Sequence, residues 1–153
     1  MSLTRAKKSL GQHFLVDRRV LGRILDASAL SPDDVIVEIG PGRGVLTKAL
    51  ASRVKRVAAV ELDRDLADRL ALAFQDSPNV EVVYADARDV TIESLVPPGT
   101  PYKVVANLPY YAASPIVRRF LSAGHKPRLM VVMVQREVAR NMAAAPGKMR
   151  LLS

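Results

Sequence analysis

Short continuous apolar runs alternate along the chain with longer segments whose apolar residues recur at helical spacing. The runs predict five buried strands, over residues 35–39, 56–61, 80–85, 102–106 and 129–135. The longer segments predict helices over residues 17–29, 65–74 and 136–145, another that ends near residue 52 and another that begins at residue 114. Apolar strands separated by helices are typical of a parallel sheet with helices on both faces. The predicted fold is therefore α/β and Rossmann-like.

Three of the predicted helices have a clear apolar face. The inward residues are Val20, Leu21, Ile24 and Leu25 in the first helix, and Leu66, Leu70 and Phe74 in the third. The fourth helix has the clearest start, because Ser114 can cap it with Pro115 at the first helical position. Its predicted inward residues are Ile116, Val117, Phe120 and Leu121.

Right-handed crossovers between parallel strands place all the carboxyl ends at one edge of the sheet, where ligands bind in this architecture. A length of 153 residues suits one domain, which we predict over residues 1–153. A further apolar segment begins at Met149, so the domain is expected to be incomplete at its carboxyl end, with its last strands missing.

Composition limits the classes of protein to which the chain can belong. An apolar fraction of 49% and a charged fraction of 25% are those of a soluble globular protein. The chain has no cysteine, which excludes disulfides and thiolate metal sites and favours a reducing compartment. The longest strongly apolar run, Leu129 to Val134, is too short to cross a bilayer. The basic first residues lack the apolar stretch of a secretory signal, so we expect a cytoplasmic protein, although a basic presequence stays open.

Charge is distributed unevenly along the chain. The net charge of +8 divides into +4 over residues 1–30, −3 over residues 31–111 and +7 over residues 112–153. Two basic ends around an acidic middle predict a polyanionic partner that contacts the ends. The alternative is ordinary charge that keeps the protein in solution.

Residues 38–44 read E-I-G-P-G-R-G and form the first predicted strand–helix turn. Glycine permits a sharp turn and a close approach of the backbone to a ligand, and the following helix offers free N–H groups. The third glycine arrives one residue earlier than in the dinucleotide fingerprint G-x-G-x-x-G, which alters the pyrophosphate cradle. Taken alone, the loop is also compatible with an ordinary tight turn.

Acidic residues follow the next two predicted strands. Glu61 lies 19 residues after Gly42 and can accept hydrogen bonds from both hydroxyls of a ribose. Asp86 can accept one from an adenine amino group. Either acid alone is more simply a helix cap or a surface carboxylate. Together with the glycine loop they predict an adenosine-shaped pocket with no requirement for phosphate.

The fourth predicted strand leads into Asn107-Leu108-Pro109-Tyr110. The exocyclic amine of adenine is a poor nucleophile, and two acceptors on its N–H groups stabilise the charge that develops during attack. Asn107 supplies a side-chain oxygen. Pro109 lacks an N–H and keeps Leu108 extended, which leaves the Leu108 carbonyl as the second acceptor. Tyr110 offers a face for base stacking. The structural alternative is a strand end whose tyrosines, including Tyr111, pack under the next helix.

Five segments, spread in order over nearly the whole chain, carry a family resemblance. They are K-S-L-G-Q-H-F-L at 8–15, E-I-G-P-G at 38–42, E-L-D at 61–63, D-A at 86–87 and N-L-P-Y at 107–110. In this combination they resemble the ribosomal RNA adenine N6-dimethyltransferases. The resemblance implies a class I methyltransferase fold, S-adenosyl-L-methionine as donor and RNA adenine as acceptor. The implied function is N6-dimethylation of adenines, most simply adjacent ones, in small-subunit ribosomal RNA during ribosome biogenesis.

The resemblance also assigns roles to individual residues. Cofactor contacts are expected from Gln12, His13, Leu15, Gly40, Gly42, Glu61, Leu62, Asp86, Ala87 and Asn107. Catalytic roles are expected from Asn107, Leu108, Pro109 and Tyr110, packing from Phe14, and no metal. Candidate contacts to RNA phosphates are Lys7, Lys8, Arg18, Arg19, Arg23, Arg118, Arg119, Arg136 and Arg140, with a solvated helix surface as the alternative for the last four.

Members of the resembled family are longer than this chain. They add two strands, a second aromatic region that closes on the target base, and a small helical domain that helps bind RNA. We therefore expect cofactor binding by this chain, with weak or absent catalysis when it acts alone. The expected partner is ribosomal RNA or the precursor of the small ribosomal subunit, with no membrane association and a monomeric chain.

Four other functions stay open. The same motifs are compatible with a non-catalytic RNA-binding or ribosome-assembly module, and with a resistance-type methylase of large-subunit ribosomal RNA. An NAD-linked oxidoreductase requires the glycine spacing that this chain lacks. DNA adenine methylation more often goes with an acidic residue at the position of Asn107.

Overall fold

The computed structural model describes residues 17–109 and 111–144, which contain six helices and five strands. The helices are α1 (Arg18–Ala27), α2 (Val45–Ala51), α3 (Arg64–Ala73), α4 (Ile92–Leu95), α5 (Ala113–Ser122) and α6 (Arg136–Ala144). The strands are β1 (Val35–Ile39), β2 (Arg56–Glu61), β3 (Val80–Tyr84), β4 (Lys103–Asn107) and β5 (Leu129–Met133). The predicted alternation of strands and helices is confirmed.

The five strands form one sheet in the order β3-β2-β1-β4-β5, and each neighbouring pair is parallel. Ile39 at the end of β1 lies level with Val60 in β2 and with Ala106 in β4. Glu61 lies level with Tyr84 at the end of β3. All these strands therefore end at the same edge, which is the edge where we expected a ligand.

Helices cover both faces of the sheet, because alternate residues of each strand point to opposite sides. On one face Ile36, Val57 and Val105 pack with residues of α1, α2 and α3. On the other face Val37 and Val104 pack with residues of α4, α5 and α6. All five residues of β1 are buried, which explains its continuous apolar run.

At the opposite edge of the sheet, Lys103 at the amino end of β4 binds the segment that follows α1. The Lys103 ammonium group donates to the carbonyls of Ser28 (3.2 Å) and Ala29 (2.7 Å) and to Asp34 Oδ2 (2.8 Å). The two carbonyls follow α1, and Ala29 has a positive φ of 44°. The ammonium group therefore donates hydrogen bonds to two carbonyls that have no helical N–H partner, because α1 has ended.

The start of α5 differs from the prediction. The helix begins at Ala113, and its N-cap is Ala112, which makes no side-chain capping bond. Ser114 is inside the helix and exposed, so its predicted role as N-cap is wrong. A turn in which the Ala112 N–H donates to the Pro109 carbonyl (3.1 Å) leads into the helix before Ser114 is reached.

Some inward positions and element ends also differ. Leu121 was predicted to face the core, but it is 40% exposed. It follows the fully buried Phe120, and one helical residue turns the side chain by about 100°. The strands β3 and β5 end earlier than predicted, and β4 begins and ends one residue later. The short helix α4 was not predicted, because four residues are too few for a periodic signal. No helix among the described residues is long and apolar enough to span a bilayer.

Candidate functional site

The carboxyl ends of the strands surround a cleft that is partly open to solvent. Seven lining residues have predicted cofactor roles: Gly40, Gly42, Glu61, Leu62, Asp86, Ala87 and Asn107. Pro109, which like Asn107 has a predicted catalytic role, lines it too. The structure therefore brings the ends of β1, β2, β3 and β4 together around one space, as a parallel sheet requires.

The loop after β1 has a backbone that requires glycine. Gly40, Gly42 and Gly44 have φ angles of 70°, 57° and 86°, in the left-handed region that other residues rarely adopt. A Cβ atom on Gly40 would lie 3.0 Å from the backbone oxygen of Asn107. The Gly40 N–H donates to the carbonyl of Val60 at 3.0 Å. Glycine at this position thus lets the end of β1 contact the end of β4.

Glu61, at the end of β2, is 3% exposed, and its carboxylate is held by backbone donors. The Gly42 N–H donates to Oε2 at 3.1 Å, and the Asp63 N–H donates to Oε1 at 3.0 Å. Burial raises the pKa of Glu61 above its ordinary value, and these backbone donors oppose the shift. A carboxylate has about four acceptor positions, so these two donors leave capacity for a ligand.

Glu38 is a second buried acid, placed beneath the glycine loop. It is 1% exposed, and the hydroxyl of Thr47 in α2 donates to its Oε2 at 2.6 Å. Its Oε1 has no hydrogen-bond partner among the described residues. Burial, reinforced by the charge of Glu61, raises the pKa of Glu38 to about 8, against the opposing effect of the Thr47 hydrogen bond. The carboxyl group is therefore mainly protonated at neutral pH.

Asp86, just after β3, is engaged by Arg88, a residue that our reading of the sequence missed. The Arg88 backbone N–H donates to Asp86 Oδ1 at 2.9 Å, and its Nη2 donates to Oδ2 at 2.6 Å. These Arg88 hydrogen bonds hold the pKa of Asp86 below its ordinary value. The sequence signal is only an acid and an arginine two residues apart, which is equally common on solvated surfaces.

The end of β4 contributes both side-chain and backbone groups. Asn107 is half-buried beside the cleft, whereas the Leu108 side chain is 3% exposed and belongs to the core. The Leu108 N–H continues the pairing of β4 with β5, and Pro109 O accepts the Ala112 N–H. Tyr111 is 37% exposed and lines the cleft, so it does not pack under α5 as the structural alternative required.

Several predicted site residues lie outside the described residues. They are Lys7, Lys8, Gln12, His13, Phe14, Leu15 and Tyr110. Six of the arginines proposed to contact RNA are described and exposed: Arg18, Arg19, Arg23, Arg118, Arg136 and Arg140. Arg119 differs, because its Nη2 donates to the Val90 carbonyl at 2.8 Å and so joins α5 to the segment before α4.

The polar groups around the cleft determine which ligands it suits. Glu61, Asp86 and Asn107 provide hydrogen-bond acceptors at the ends of three strands. Within residues 17–109 and 111–144, no three His, Asp or Glu side chains are close enough together to hold a metal ion. The arrangement suits a ligand with several hydroxyl and amino groups and no net negative charge.

Comparison with known proteins gives consistent results. A sequence model of the family described as "Ribosomal RNA adenine dimethylase" matches residues 3–153. The ribosomal RNA small subunit methyltransferase A of Dehalococcoides mccartyi is 49% identical over 149 residues, which are 97% of this chain and 51% of that protein.

Two solved structures share the fold. The 23S rRNA methyltransferase ErmE has a TM-score of 0.74 at 35% identity, over 90% of this chain and 54% of that one. A dimethyladenosine transferase from Plasmodium falciparum has a TM-score of 0.74 at 28% identity, over 89% of this chain and 48% of that one. These similarities confirm the predicted Rossmann-like methyltransferase fold.

The chain spans about half the length of the curated relatives it matches. The match to the family nevertheless extends over almost the whole chain, and the segments that carry the resemblance surround the cleft where they are described. The chain belongs to the ribosomal RNA adenine dimethylase family.

Proposed function

We propose that the chain is the donor-binding part of an S-adenosylmethionine-dependent methyltransferase that dimethylates N6 of adenines in small-subunit ribosomal RNA. One observation carries the proposal. The glycine loop, Glu61, Asp86 and Asn107 line the same cleft at the carboxyl edge of the sheet. The cleft thus combines acceptors suited to an adenosine with an amide suited to an amine that is to be methylated.

The residues present fit the proposed donor. Glu61 has acceptor capacity for ribose hydroxyls, and Asp86 is an ionised acceptor for an adenine amino group. The left-handed glycines allow the donor to approach the backbone closely. When bound, S-adenosylmethionine supplies a methyl group already activated by its sulfonium. The task left to the chain is to align the acceptor amine, and no general base is required.

The end of β4 is suited to hold that amine. The Asn107 side-chain oxygen and the Leu108 carbonyl can accept its two N–H groups and stabilise the developing positive charge. Pro109 restricts Leu108 to an extended conformation and has no N–H that competes. The contact between Gly40 and the Asn107 backbone puts this amide next to the donor loop. Tyr110 is proposed to stack on the flipped base.

Ribosomal RNA of the small subunit is the proposed substrate. The curated relative at 49% identity is named for the small subunit, whereas the large-subunit enzyme ErmE is 35% identical. A net charge of +8 and the exposed arginines of α1, α5 and α6 favour an RNA partner. We further propose that the protein is cytoplasmic, as a ribosomal RNA substrate would require, and that it is a monomer.

Calorimetric titration of S-adenosylmethionine tests the donor site. The double variant Glu61→Ala/Asp86→Ala is expected to lose at least about a hundredfold in affinity, since it removes two charged acceptors. The matched control is Asp68→Ala/Glu93→Ala, which removes two exposed acids outside the cleft. Equal affinity of the two double variants would reject the assignment of these strand ends.

Methyl transfer from labelled donor to undermodified ribosomal subunits tests the reaction. We expect incorporation at adenine N6 in small-subunit RNA and none in large-subunit RNA, and we expect Asn107→Ala to lose transfer by a larger factor than it loses donor affinity. The 153-residue chain and a full-length relative are assayed in parallel. Donor and RNA binding without transfer by either protein would support the non-catalytic assembly module, and labelling of large-subunit RNA would support the resistance-type methylase.

A further inference from the structure

Arg88 lines the cleft, and the function proposed above gives it no role. Its three contacting N–H groups all point to the carboxylate of Asp86. The backbone N–H donates to Oδ1 at 2.9 Å, and the Nε–H donates to Oδ1 and Oδ2 at 3.0 and 3.1 Å. The Nη2 group donates to Oδ2 at 2.6 Å. The guanidinium therefore meets the carboxylate edge to edge, which fixes the carboxylate plane.

The geometry limits what Asp86 can still accept. A carboxylate has about four acceptor positions. The four Arg88 contacts use three hydrogens, because the Nε–H is shared between Oδ1 and Oδ2, and three hydrogens leave about one position for a further donor. The Asp86 side chain is 23% exposed and lines the cleft together with Arg88. The remaining position is therefore open to a ligand inside the cleft, and its direction is set by Arg88.

We propose that Arg88 is a positioning residue that orients Asp86 so that the cleft selects a donor whose purine carries a 6-amino group over one with a 6-oxo group. The proposal rests on the proposed function, because it takes Asp86 as the acceptor for the donor base. An amino group donates to the one remaining acceptor position. A 6-oxo group presents an oxygen to the carboxylate, and the two acceptors repel each other.

Arg88 also determines the pH range in which this acceptor is ionised. The Arg88 hydrogen bonds lower the pKa of Asp86, whereas burial opposes them. Asp89 and Tyr111 act on Arg88, and Glu61 lies at the neighbouring strand end around the same cleft. Without the guanidinium, the backbone N–H of residue 88 is the one Arg88 contact left to oppose burial, so the pKa of Asp86 is higher than in the wild type. As the pH falls, Asp86 therefore becomes protonated at a higher pH in Arg88→Leu than in the wild type.

The experiment compares two ligands that differ only at the purine 6-position, S-adenosylhomocysteine and S-inosylhomocysteine. Their affinities for the 153-residue wild type and for Arg88→Leu, Arg88→Lys and Arg128→Leu are measured by titration from pH 7.5 to pH 4.5. Arg128 is the matched control because it is exposed and precedes β5, at the opposite edge of the sheet. Lysine keeps the positive charge of Arg88 but lacks its planar fork.

We expect the wild type and Arg128→Leu to prefer the adenine ligand by at least about tenfold, the value of one hydrogen bond to a charged group. Arg88→Leu is expected to lose most of this preference and to lose affinity for the adenine ligand at a higher pH than the wild type. Arg88→Lys is expected to restore the pH profile and only part of the preference.

Three results would overturn the proposal. An unchanged preference in Arg88→Leu, with normal binding of the adenine ligand, would reject the role of Arg88 and leave the donor site intact. Tighter binding of that ligand by Arg88→Leu would mean that Arg88 competes for Asp86. Failure of the wild type to bind either ligand would reject both the donor site and the role of Arg88.

Discussion

Replacing Glu38 with glutamine changes one buried ionisable group and little else. The side chain is 1% exposed, between β1 and α2, and its Oε2 accepts the Thr47 hydroxyl at 2.6 Å. Glutamine has nearly the same shape, and its amide oxygen can accept the same hydrogen bond. The substitution therefore removes the titration of this site and retains its packing.

The expected effect follows from the difference in pKa between the folded and unfolded chain. Glu38 has a pKa of about 8 when folded, against 4.5 for an unperturbed glutamate. Between these values the folded state binds more protons than the unfolded state, so the free energy of unfolding falls as the pH rises. Each pH unit within the window corresponds to about 1.4 kcal/mol. From pH 5.5 to pH 7.5 the wild type should lose about 2–3 kcal/mol that Glu38→Gln keeps.

Urea denaturation of both proteins across this pH range measures the effect. The variant is expected to be the more stable at both ends of the range, by about 1 kcal/mol at pH 5.5 and by about 2–3 kcal/mol more than that at pH 7.5. Both contain the same two histidines, whose titration cancels in the difference. The control is Glu93→Gln, a substitution of an exposed glutamate in α4. Parallel stability profiles for the wild type and Glu38→Gln would refute the reasoning.

Three further predictions concern single contacts. Gly40→Ala should abolish donor binding and destabilise the fold by more than about 1 kcal/mol, because the left-handed backbone and the Asn107 oxygen at 3.0 Å both exclude a Cβ atom. Calorimetry that shows normal donor binding by this variant would contradict the prediction. Gly22→Ala, in α1 with no atom near its added methyl group, should raise the free energy of unfolding by about 0.5–1 kcal/mol, and a loss of stability in thermal unfolding would count against it. Lys103→Met should lower that free energy by about 1–3 kcal/mol, because it leaves the Asp34 carboxylate and two carbonyls without their shared donor; an unchanged urea midpoint would contradict it.

Most of the fold could be predicted because the apolar pattern is strong where strands are fully buried. The bounds of β1 and β2 match the prediction, since every residue of β1 and nearly every residue of β2 is covered on both sides. The start of α5 could not be predicted from the same pattern. Ser114 and Pro115 are an ordinary start signal, but the turn at Pro109 begins the helix earlier.

The candidate site was predictable as far as topology determines it. The strand ends of a parallel sheet must share an edge, which brings Glu61, Asp86 and Asn107 together whatever their side-chain contacts. Those contacts depend on local geometry that spacing does not encode. The hydrogen bonds from Arg88 to Asp86 and from Gly42 to Glu61 are of this kind.

The hydrogen bond between the Gly42 amide and Glu61 joins the loop after β1 to the end of β2. A ligand that binds the Glu61 carboxylate must also change the strength of its hydrogen bond with the Gly42 amide. The Gly42 amide proton is therefore expected to report whether the cleft holds a ligand. Its deuterium exchange rate and its NMR chemical shift should both change on binding, even for a ligand that does not contact the loop.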